Sequence, residues 1–257
     1  MMYLSHLLID VGSNPDRPRP GRLWLRNMYR VHQRICMAFP SASRKSGDAD
    51  FLQPFKPKEF GDGQVHVERA TESGFLFRID PHTDARAVIL VQSAIEPDWD
   101  YAFHNAHYFL AAPPEMKQFD PRVKKGERLR FRLLANPTRR LSRNSPDAKE
   151  ESIGKRVPVP PTQLFEWLAR KGESGGFSIQ KESTTVQPAY DYFRKPDKEH
   201  EEKSGDEGRD QKSCLRSVRF DGVLEVTDGS CFRNTLVRGI GPAKAFGFGL
   251  LSIAPVK

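Results

Sequence analysis

The order of strand-like and helix-like segments constrains the fold of this chain most, because the same series occurs twice. Residues 3–11 are apolar and leucine-rich and end at a Gly-Ser-Asn-Pro turn, a pattern that predicts a strand. Residues 24–39 place apolar side chains on one helical stripe, which Pro40 ends. Further strands are predicted at 65–68, 74–79 and 87–92, and a second helix at 98–110.

The second half of the chain begins near Lys125 and repeats this series. Residues 129–133 alternate between apolar and basic side chains, as in a strand with one buried face. The other predicted segments are a helix from Thr162 to Gly172, a helix from Asp228 or Ser230 to Gly239, and strands at 177–180, 218–226 and 246–253. We therefore predict an α+β protein of two tandem ferredoxin-like (RRM-like) βαββαβ domains, residues 1–122 and 123–257.

The positive charge of the chain is concentrated in one window. The 257 residues carry a net charge of +8 at pH 7. Residues 122–156 hold twelve lysines and arginines against four acids, so this window accounts for the whole excess. Concentrated positive charge favours an anionic partner, most often nucleic acid, over a protein that is basic without a binding role.

The three cysteines, Cys36, Cys214 and Cys231, are scattered and form no C-x-x-C pair. This spacing indicates neither a disulfide framework nor a thiolate zinc site, and it favours the reducing cytoplasm. No apolar run has the length of a membrane span, and the N-terminus lacks the layout of a signal peptide. We expect a cytoplasmic protein without a membrane partner.

Two histidines, His104 and His107, lie three residues apart in the second predicted helix. The nearby acids are limited to Asp98 and Asp100, and no matching His or Cys pair exists elsewhere. A metal site needs a larger donor set, so we interpret this segment as ordinary helix surface and expect no metal and no cofactor.

The segment 27–34 of the first helix combines a phenol, an imidazole and guanidinium groups. Tyr29 and His32 are three residues apart and share one helix face. An imidazole transfers protons near neutral pH, a phenol donates a hydrogen bond, and an arginine such as Arg34 can hold a phosphate. These groups suit phosphodiester chemistry. The alternatives are a surface histidine without a role and a tyrosine at the edge of the core.

A glycine-rich stretch near the C-terminus holds four glycines and Lys244 between a helix and a strand. Glycines let backbone N–H groups approach an anion, and the lysine adds positive charge. The stretch does not match the ATP-binding P-loop. A tight bend with close helix-to-strand packing explains the glycines equally well.

Taken together, these segments resemble the CasE family, the CRISPR RNA-processing endoribonucleases of type I-E Cascade complexes. The matching pieces occur in order along nearly the whole chain. They are Met-Tyr-Leu-Ser at 2–5, Tyr29-x-x-His32, Val-Gln-Ser at 91–93, Arg-Phe-Arg-Leu-Leu-Ala-Asn-Pro at 130–137, Gly-Lys-Arg-Val at 154–157, Phe-Asp-Gly-Val-Leu at 220–224, Gly-Ile-Gly-Pro-Ala-Lys at 239–244 and Gly-x-Gly-Leu-Leu-Ser at 247–252.

The resemblance implies metal-independent cleavage of CRISPR repeat RNA at the 3′ base of its hairpin, by an enzyme that stays bound to the crRNA among other Cascade subunits. The family's catalytic pair corresponds to Tyr29 and His32. Basic residues expected at the RNA are Arg34, Arg128, Arg130, Arg132, Arg139, Arg140, Lys155 and Arg156, and the loop adds Gly239, Gly241, Lys244, Gly247 and Gly249. Segments 41–72 and 194–213 depart most from a minimal member, and Gln33 stands where some relatives carry a basic residue.

Two other functions stay open at this point. The first is a non-catalytic subunit of the same fold that holds the crRNA hairpin. The second, more distant one is a basic DNA-binding protein. The sequence does not divide the acid and base roles between Tyr29 and His32, nor does it identify the repeat that is recognised.

Overall fold

The computed structural model describes residues 1–12, 20–53, 74–81, 85–143, 150–193 and 213–256. Within these ranges the chain forms two four-stranded antiparallel sheets and one small two-stranded ribbon. The predicted strand at 65–68 lies outside the described residues, as do 54–72 of the first departing segment and 194–212 of the second.

The first sheet has the strand order β2-β3-β1-β4, with every neighbouring pair antiparallel. This is the order of a ferredoxin-like βαββαβ unit. Its elements are β1 (Met2–Asp10), α1 (Pro20–Leu25), α2 (Met28–Cys36), α3 (Ala42–Gly47), β2 (Phe75–Pro81), β3 (Arg86–Ser93), α4 (Trp99–Phe103) and β4 (Glu115–Phe119).

The second sheet has the order β10-β5-β9-β8, which is the same topology. Its elements, with the ribbon β6–β7, are β5 (Arg128–Ala135), β6 (Thr138–Arg140), β7 (Arg156–Pro158), α5 (Leu164–Gly175), β8 (Phe177–Phe193), β9 (Ser213–Val226), α6 (Gly229–Arg238) and β10 (Leu251–Pro255). The predicted fold of two ferredoxin-like units is confirmed. The boundary at 122/123 stays a prediction; it falls between β4 and β5.

Each sheet buries one face under its own helices. In the first core, Leu7 and Ile9 of β1 pack with Val31 and Ile35 of α2. In the second, the alternation along β5 is confirmed, because Leu129, Phe131 and Leu133 are buried and the intervening arginines are exposed. Two separate hydrophobic clusters therefore stabilise the two units.

Both predicted helices of the first unit are shorter than expected. The helix predicted at 24–39 is divided into α1 and α2 by Asn27, whose side chain accepts a hydrogen bond from the Arg30 N–H and caps α2. The helix predicted at 98–110 ends at Phe103, and a separate 3-10 turn follows at His107–Phe109. Capping by an internal polar residue outweighed the continuous apolar spacing in the first case.

In the second unit several element boundaries differ from the predicted ones. Helix α5 continues past Gly172 and ends at Gly175, and its C-cap Gly176 adopts the left-handed conformation with φ 77°. The strand predicted at 177–180 extends to Phe193 and pairs with β9 as a long hairpin. The last strand starts only at Leu251, because Lys244–Phe246 forms a 3-10 turn.

Residues 41–53, the described part of the first departing segment, belong to the framework of the first unit. Phe51 is buried against Tyr101, and the Tyr101 hydroxyl donates a hydrogen bond to the Asp48 carbonyl. The Asp48 carboxylate accepts hydrogen bonds from Arg44 at 2.6 Å and from two backbone N–H groups, those of Leu52 and Gln53. This carboxylate thus organises the turn after α3.

We predict that Asp48→Asn lowers the free energy of unfolding and that the effect depends on pH. Burial raises the pKa of Asp48, but the hydrogen bonds from the Leu52 and Gln53 N–H groups and the charge of Arg44 outweigh it, so the pKa is lowered. A depressed folded-state pKa contributes stability above the unfolded-state value, and that stability is lost as the pH falls through the folded-state pKa. Urea unfolding at pH 7 and near pH 3 measures both effects.

The matched control for this prediction is Asp50→Asn. The Asp50 side chain is 71% exposed and lies 3.6 Å from His104. We expect its unfolding midpoint to equal that of the wild type at both pH values. Equal midpoints for Asp48→Asn and wild type at neutral pH would contradict the role assigned to Asp48.

Candidate functional site

Helix α2 holds the two residues singled out as a catalytic pair. Its inner face buries Val31, Ile35 and Cys36, which fixes the helix on the first sheet. Tyr29 lies at the outer edge with 37% of its surface exposed, whereas His32 is half-buried. The pair is therefore at the boundary between the core and solvent, on the face predicted from the spacing.

The imidazole of His32 packs on an aromatic surface of β2. Its ring centroid is 5.2 Å from that of Phe75 and 6.3 Å from that of Phe77. Its Nε2 lies 3.6 Å from the Cys36 Sγ. Burial raises the pKa of the Cys36 thiol to about 12, so the thiol is neutral and places no negative charge beside the ring. These contacts hold the imidazole in one orientation.

The glycine-rich loop of the second unit lies directly beside α2. At Gly247, which has φ 78°, a Cβ atom would be 3.0 Å from the Met28 Cε and 3.2 Å from the Phe77 Cε2. At Gly239, with φ 69°, a Cβ atom would be 2.8 Å from Leu76. The loop therefore needs glycine both for its backbone conformation and for its close approach to the first unit.

Two polar contacts join the units next to this loop. The Gln92 side-chain amide of β3 donates to the Leu236 carbonyl at 2.7 Å, and both groups are buried. The Arg78 guanidinium of β2 donates to the Ser252 hydroxyl at 2.9 Å. The glycine-rich loop is thus held against α2 by contacts on both sides of it.

A groove of about 580 Å³ opens between this loop, the β6–β7 ribbon and α5. We call it the basic groove; its lining residues are Thr138, Arg139, Arg140, Arg156, Trp167, Lys171, Gly239, Gly241, Pro242, Ala243 and Lys244. No acidic side chain is among the described residues that line it. Burial, and to a smaller degree the neighbouring Arg238, lower the pKa of Lys244. The groove is suited to bind an anion.

The basic groove contains six of the residues predicted to contact RNA and two residues that sequence reasoning missed. Trp167 and Lys171 lie four residues apart on α5, so they share a helix face. That spacing was visible in the sequence, but nothing there indicated that this face meets the glycine-rich loop. Lys155 is exposed beside Arg156 but is not among the lining residues.

The side chain of Arg34 has a different environment from the one expected. Its Nη1 donates to the Ala102 carbonyl at 2.8 Å and to the Asn105 Oδ1 at 3.2 Å. Its guanidinium carbon is 5.5 Å from the centroid of the Phe51 ring, and burial lowers its pKa. Arg34 therefore ties α2 to the last turn of α4 and to the segment that follows it, on the side of α2 away from His32.

The arginines of β5 also lie apart from the basic groove. Arg128, Arg130 and Arg132 occupy every second position of β5, so all three lie on the outer face of the second sheet. Arg132 forms an ion pair with Asp221 at 2.6 Å, and the Arg130 Nε donates to the Pro255 carbonyl at 3.3 Å. The structure thus divides the predicted basic surface into two sets, of which one adjoins the glycine-rich loop.

Among the residues that the structure describes, no three His, Cys, Asp or Glu side chains come together as a metal-binding group. No helix among them is long and apolar enough to cross a membrane.

Comparison with known proteins identifies the family of this chain. The model of a family described as CRISPR associated protein matches residues 2–255. CRISPR-associated endoribonuclease Cse3 of Thermus thermophilus is 39% identical over 196 residues, covering 74% of this chain and 85% of the relative. The Cascade subunit CasE of Escherichia coli is 28% identical over 258 residues, covering 99% and 100%.

The solved structures agree with these relatives. Thermus thermophilus Cse3 bound to an RNA representing a pre-cleavage complex has a TM-score of 0.66 and 30% identity, over 99% of each chain. The resemblance noted from the motifs is confirmed: the chain belongs to the CasE/Cse3 family of CRISPR-associated proteins.

Proposed function

We propose that this protein is the endoribonuclease that cuts CRISPR repeat RNA at the 3′ base of its hairpin and then remains on the crRNA as a Cascade subunit. Its relatives carry the names of an endoribonuclease and of a Cascade subunit. The observation that carries the proposal is that α2, the helix of Tyr29 and His32, lies against the glycine-rich loop of the other unit through Met28, and that the basic groove opens beside the same loop. The free thiols of Cys36 and Cys231 are consistent with a cytoplasmic location.

The reaction uses the nucleophile that RNA itself carries. A base removes the proton from the 2′-OH next to the scissile phosphate, the 2′-oxygen attacks phosphorus, and the 5′-oxygen leaves with a proton from an acid. The products are a 2′,3′-cyclic phosphate and a 5′-hydroxyl. His32 serves as the base or the acid, and Tyr29 orients the phosphate or donates a proton. No step of this scheme requires a metal ion.

In this proposal the glycine-rich loop lies beside the scissile phosphate and stabilises the negative charge that develops on it. Backbone N–H groups exposed by the glycines and the ammonium of Lys244 can stabilise it. Burial lowers the pKa of Lys244, and an arriving phosphate favours its charged form again. This residue is therefore better suited than Arg34, whose donors already bind Ala102 and Asn105.

The basic groove supplies a surface for the hairpin stem. An A-form stem presents phosphates and 2′-hydroxyls, and its deep major groove is hard for side chains to read. The described residues that line the groove include basic side chains and no acidic ones, so the groove attracts those phosphates. Binding through phosphate contacts of this kind weakens as the salt concentration rises.

One observation favours the non-catalytic alternative. The His32 ring is stacked near Phe75 and Phe77 and contacts Cys36, as expected for a histidine that only packs. In that case the protein would hold the crRNA hairpin without cutting it. Substitution of His32 distinguishes the two functions.

We predict that His32→Ala lowers the single-turnover cleavage rate of a repeat hairpin by roughly 10²- to 10⁴-fold, because a positioned imidazole contributes about that factor. The dissociation constant for the same RNA should stay close to that of the wild type. His104→Ala, an exposed histidine of the same unit, is the control and should cleave normally. Unchanged cleavage by His32→Ala would remove the imidazole from the mechanism.

A second prediction concerns the RNA. A repeat hairpin with a 2′-deoxy sugar just 5′ of the scissile phosphate should bind normally and resist cleavage, whereas a 2′-deoxy sugar on the other side of the cut should be tolerated. Excess EDTA should leave the rate unchanged, and analysis of the termini should find a cyclic phosphate and a 5′-hydroxyl. Loss of cleavage in EDTA would contradict a metal-independent reaction.

A third prediction tests the basic groove. Lys171→Ala should weaken binding of the repeat hairpin and reduce the slope of log affinity against log salt by about one, as for one lost phosphate contact. Arg170→Ala removes the same charge from the adjacent position of α5, outside the groove, and should keep the wild-type slope. Equal slopes for the two variants would show that net charge alone matters.

A further inference from the structure

A pocket of about 450 Å³ lies between α1, α2 and the 3-10 turn His107–Phe109. We call it the α1–α2 pocket; its lining residues are Pro20, Leu23, Trp24, Arg30, Gln33, Arg34, Met37, Tyr108 and Phe109. The proposed cleavage reaction uses none of these residues.

The α1–α2 pocket follows the Tyr29–His32 pair around the circumference of α2. A helix advances about 100° per residue. From the side that touches the glycine-rich loop, the order of side chains is therefore Met28, His32, Tyr29, Gln33 and Arg30. The last two line the pocket. A strand of RNA that crosses Tyr29 and His32 from the glycine-rich loop thus arrives next at the pocket.

The pocket has two stacked aromatic rings at its base and large exposed side chains above them. Phe109 stacks on Trp24 with ring centroids 4.8 Å apart and an interplanar angle of 17°. Above this base, the Tyr108 ring contacts Phe109 at 4.6 Å between centroids and is still 62% exposed, and the neighbouring Leu23 is 64% exposed. An exposed cluster of this kind marks a surface that contacts something else.

The polar groups at the rim define what that partner is. Arg30 is exposed and Gln33 is half-buried, and no acid is among the described residues that line the pocket. An aromatic ring for stacking, an amide for a base edge and a cation for a phosphate are the groups by which proteins hold unstacked nucleotides. The volume lies within the range of small-ligand sites.

We propose that the α1–α2 pocket binds the unpaired nucleotide on the 3′ side of the cut, with its base against Tyr108. The inference rests on the proposed function. The hairpin stem occupies the basic groove, on the glycine-loop side of α2, so the strand beyond the scissile phosphate runs to the opposite side. The pocket therefore holds the part of the substrate that leaves after cleavage, and it contributes nothing to retention of the crRNA.

The test measures binding of RNAs that cannot be cut, so that it does not depend on catalysis. Three RNAs are compared: a repeat hairpin with the 2′-deoxy block and an intact nucleotide 3′ of the cut, the same RNA with an abasic residue there, and the hairpin that ends at the cut. Tyr108→Ala should weaken binding of the first RNA by roughly 5- to 100-fold, the range expected for one stacked base. It should bind the other two RNAs as the wild type does.

Matched variants separate stacking from folding. Tyr108→Phe keeps the ring and should bind all three RNAs normally. Arg30→Gln should weaken both RNAs that carry the nucleotide 3′ of the cut, because the abasic residue keeps its phosphate, and it should bind the hairpin that ends at the cut as the wild type does. Unchanged thermal unfolding midpoints would show that the variants fold.

Equal affinities of Tyr108→Ala and wild type for the intact RNA would overturn the proposal, and so would an equal loss on all three RNAs. Failure of the proposed function has a different signature, because then His32→Ala would cleave the unblocked hairpin as fast as the wild type, or the wild type would not cleave it.

Discussion

Two glycines of the second ferredoxin-like unit lie against side chains of the first, and this contact fixes the glycine-rich loop beside α2. Because Gly247 and Gly239 have no Cβ, the loop approaches Met28, Phe77 and Leu76 to distances that another residue would not allow. Neither unit holds the whole of the proposed site. In that proposal, the first unit provides the tyrosine and the imidazole, and the second provides the backbone that binds phosphate and most of the nearby positive charge. Relative movement of the units would separate the two sets of groups.

Helix α2 performs three tasks with three faces, and the segment 41–53 supports it. The inner face packs on the sheet, the next carries Tyr29 and His32, and Arg34 on a third joins the helix to Phe51 and Asn105. The Asn105 amide in turn donates to the Phe51 carbonyl, and Lys45 of α3 forms an ion pair with Asp98. Residues 41–53 of the first departing segment thus belong to the framework behind α2.

Strands and helices with a clear apolar period and a clear signal at each end were predicted well. Segments with a weak apolar period were not. The alternation in β5 gave both the strand and its buried face, and of the two predicted caps of α6, Asp228 and Ser230, Asp228 is the one that the structure shows. Strand β4 was missed because four of its five residues are exposed, so it has no apolar alternation, and only pairing with β1 makes it a strand. The helix predicted at 24–39 failed because capping by Asn27 is a local interaction that spacing does not reveal.

The sequence alone determined the two repeated units, most of their strands and helices, the Tyr29–His32 face and the glycine-rich loop, because each depends on residues close together in the chain. It also led to the family, through motifs that lie in a fixed order. Tertiary structure decided which basic residues share a groove, because Arg156, Lys171 and Lys244 come from three elements that meet only after folding. It also gave the Arg34 guanidinium protein partners, the Ala102 carbonyl and the Asn105 side chain, since hydrogen-bond partners are properties of the packed chain and not of the residue type.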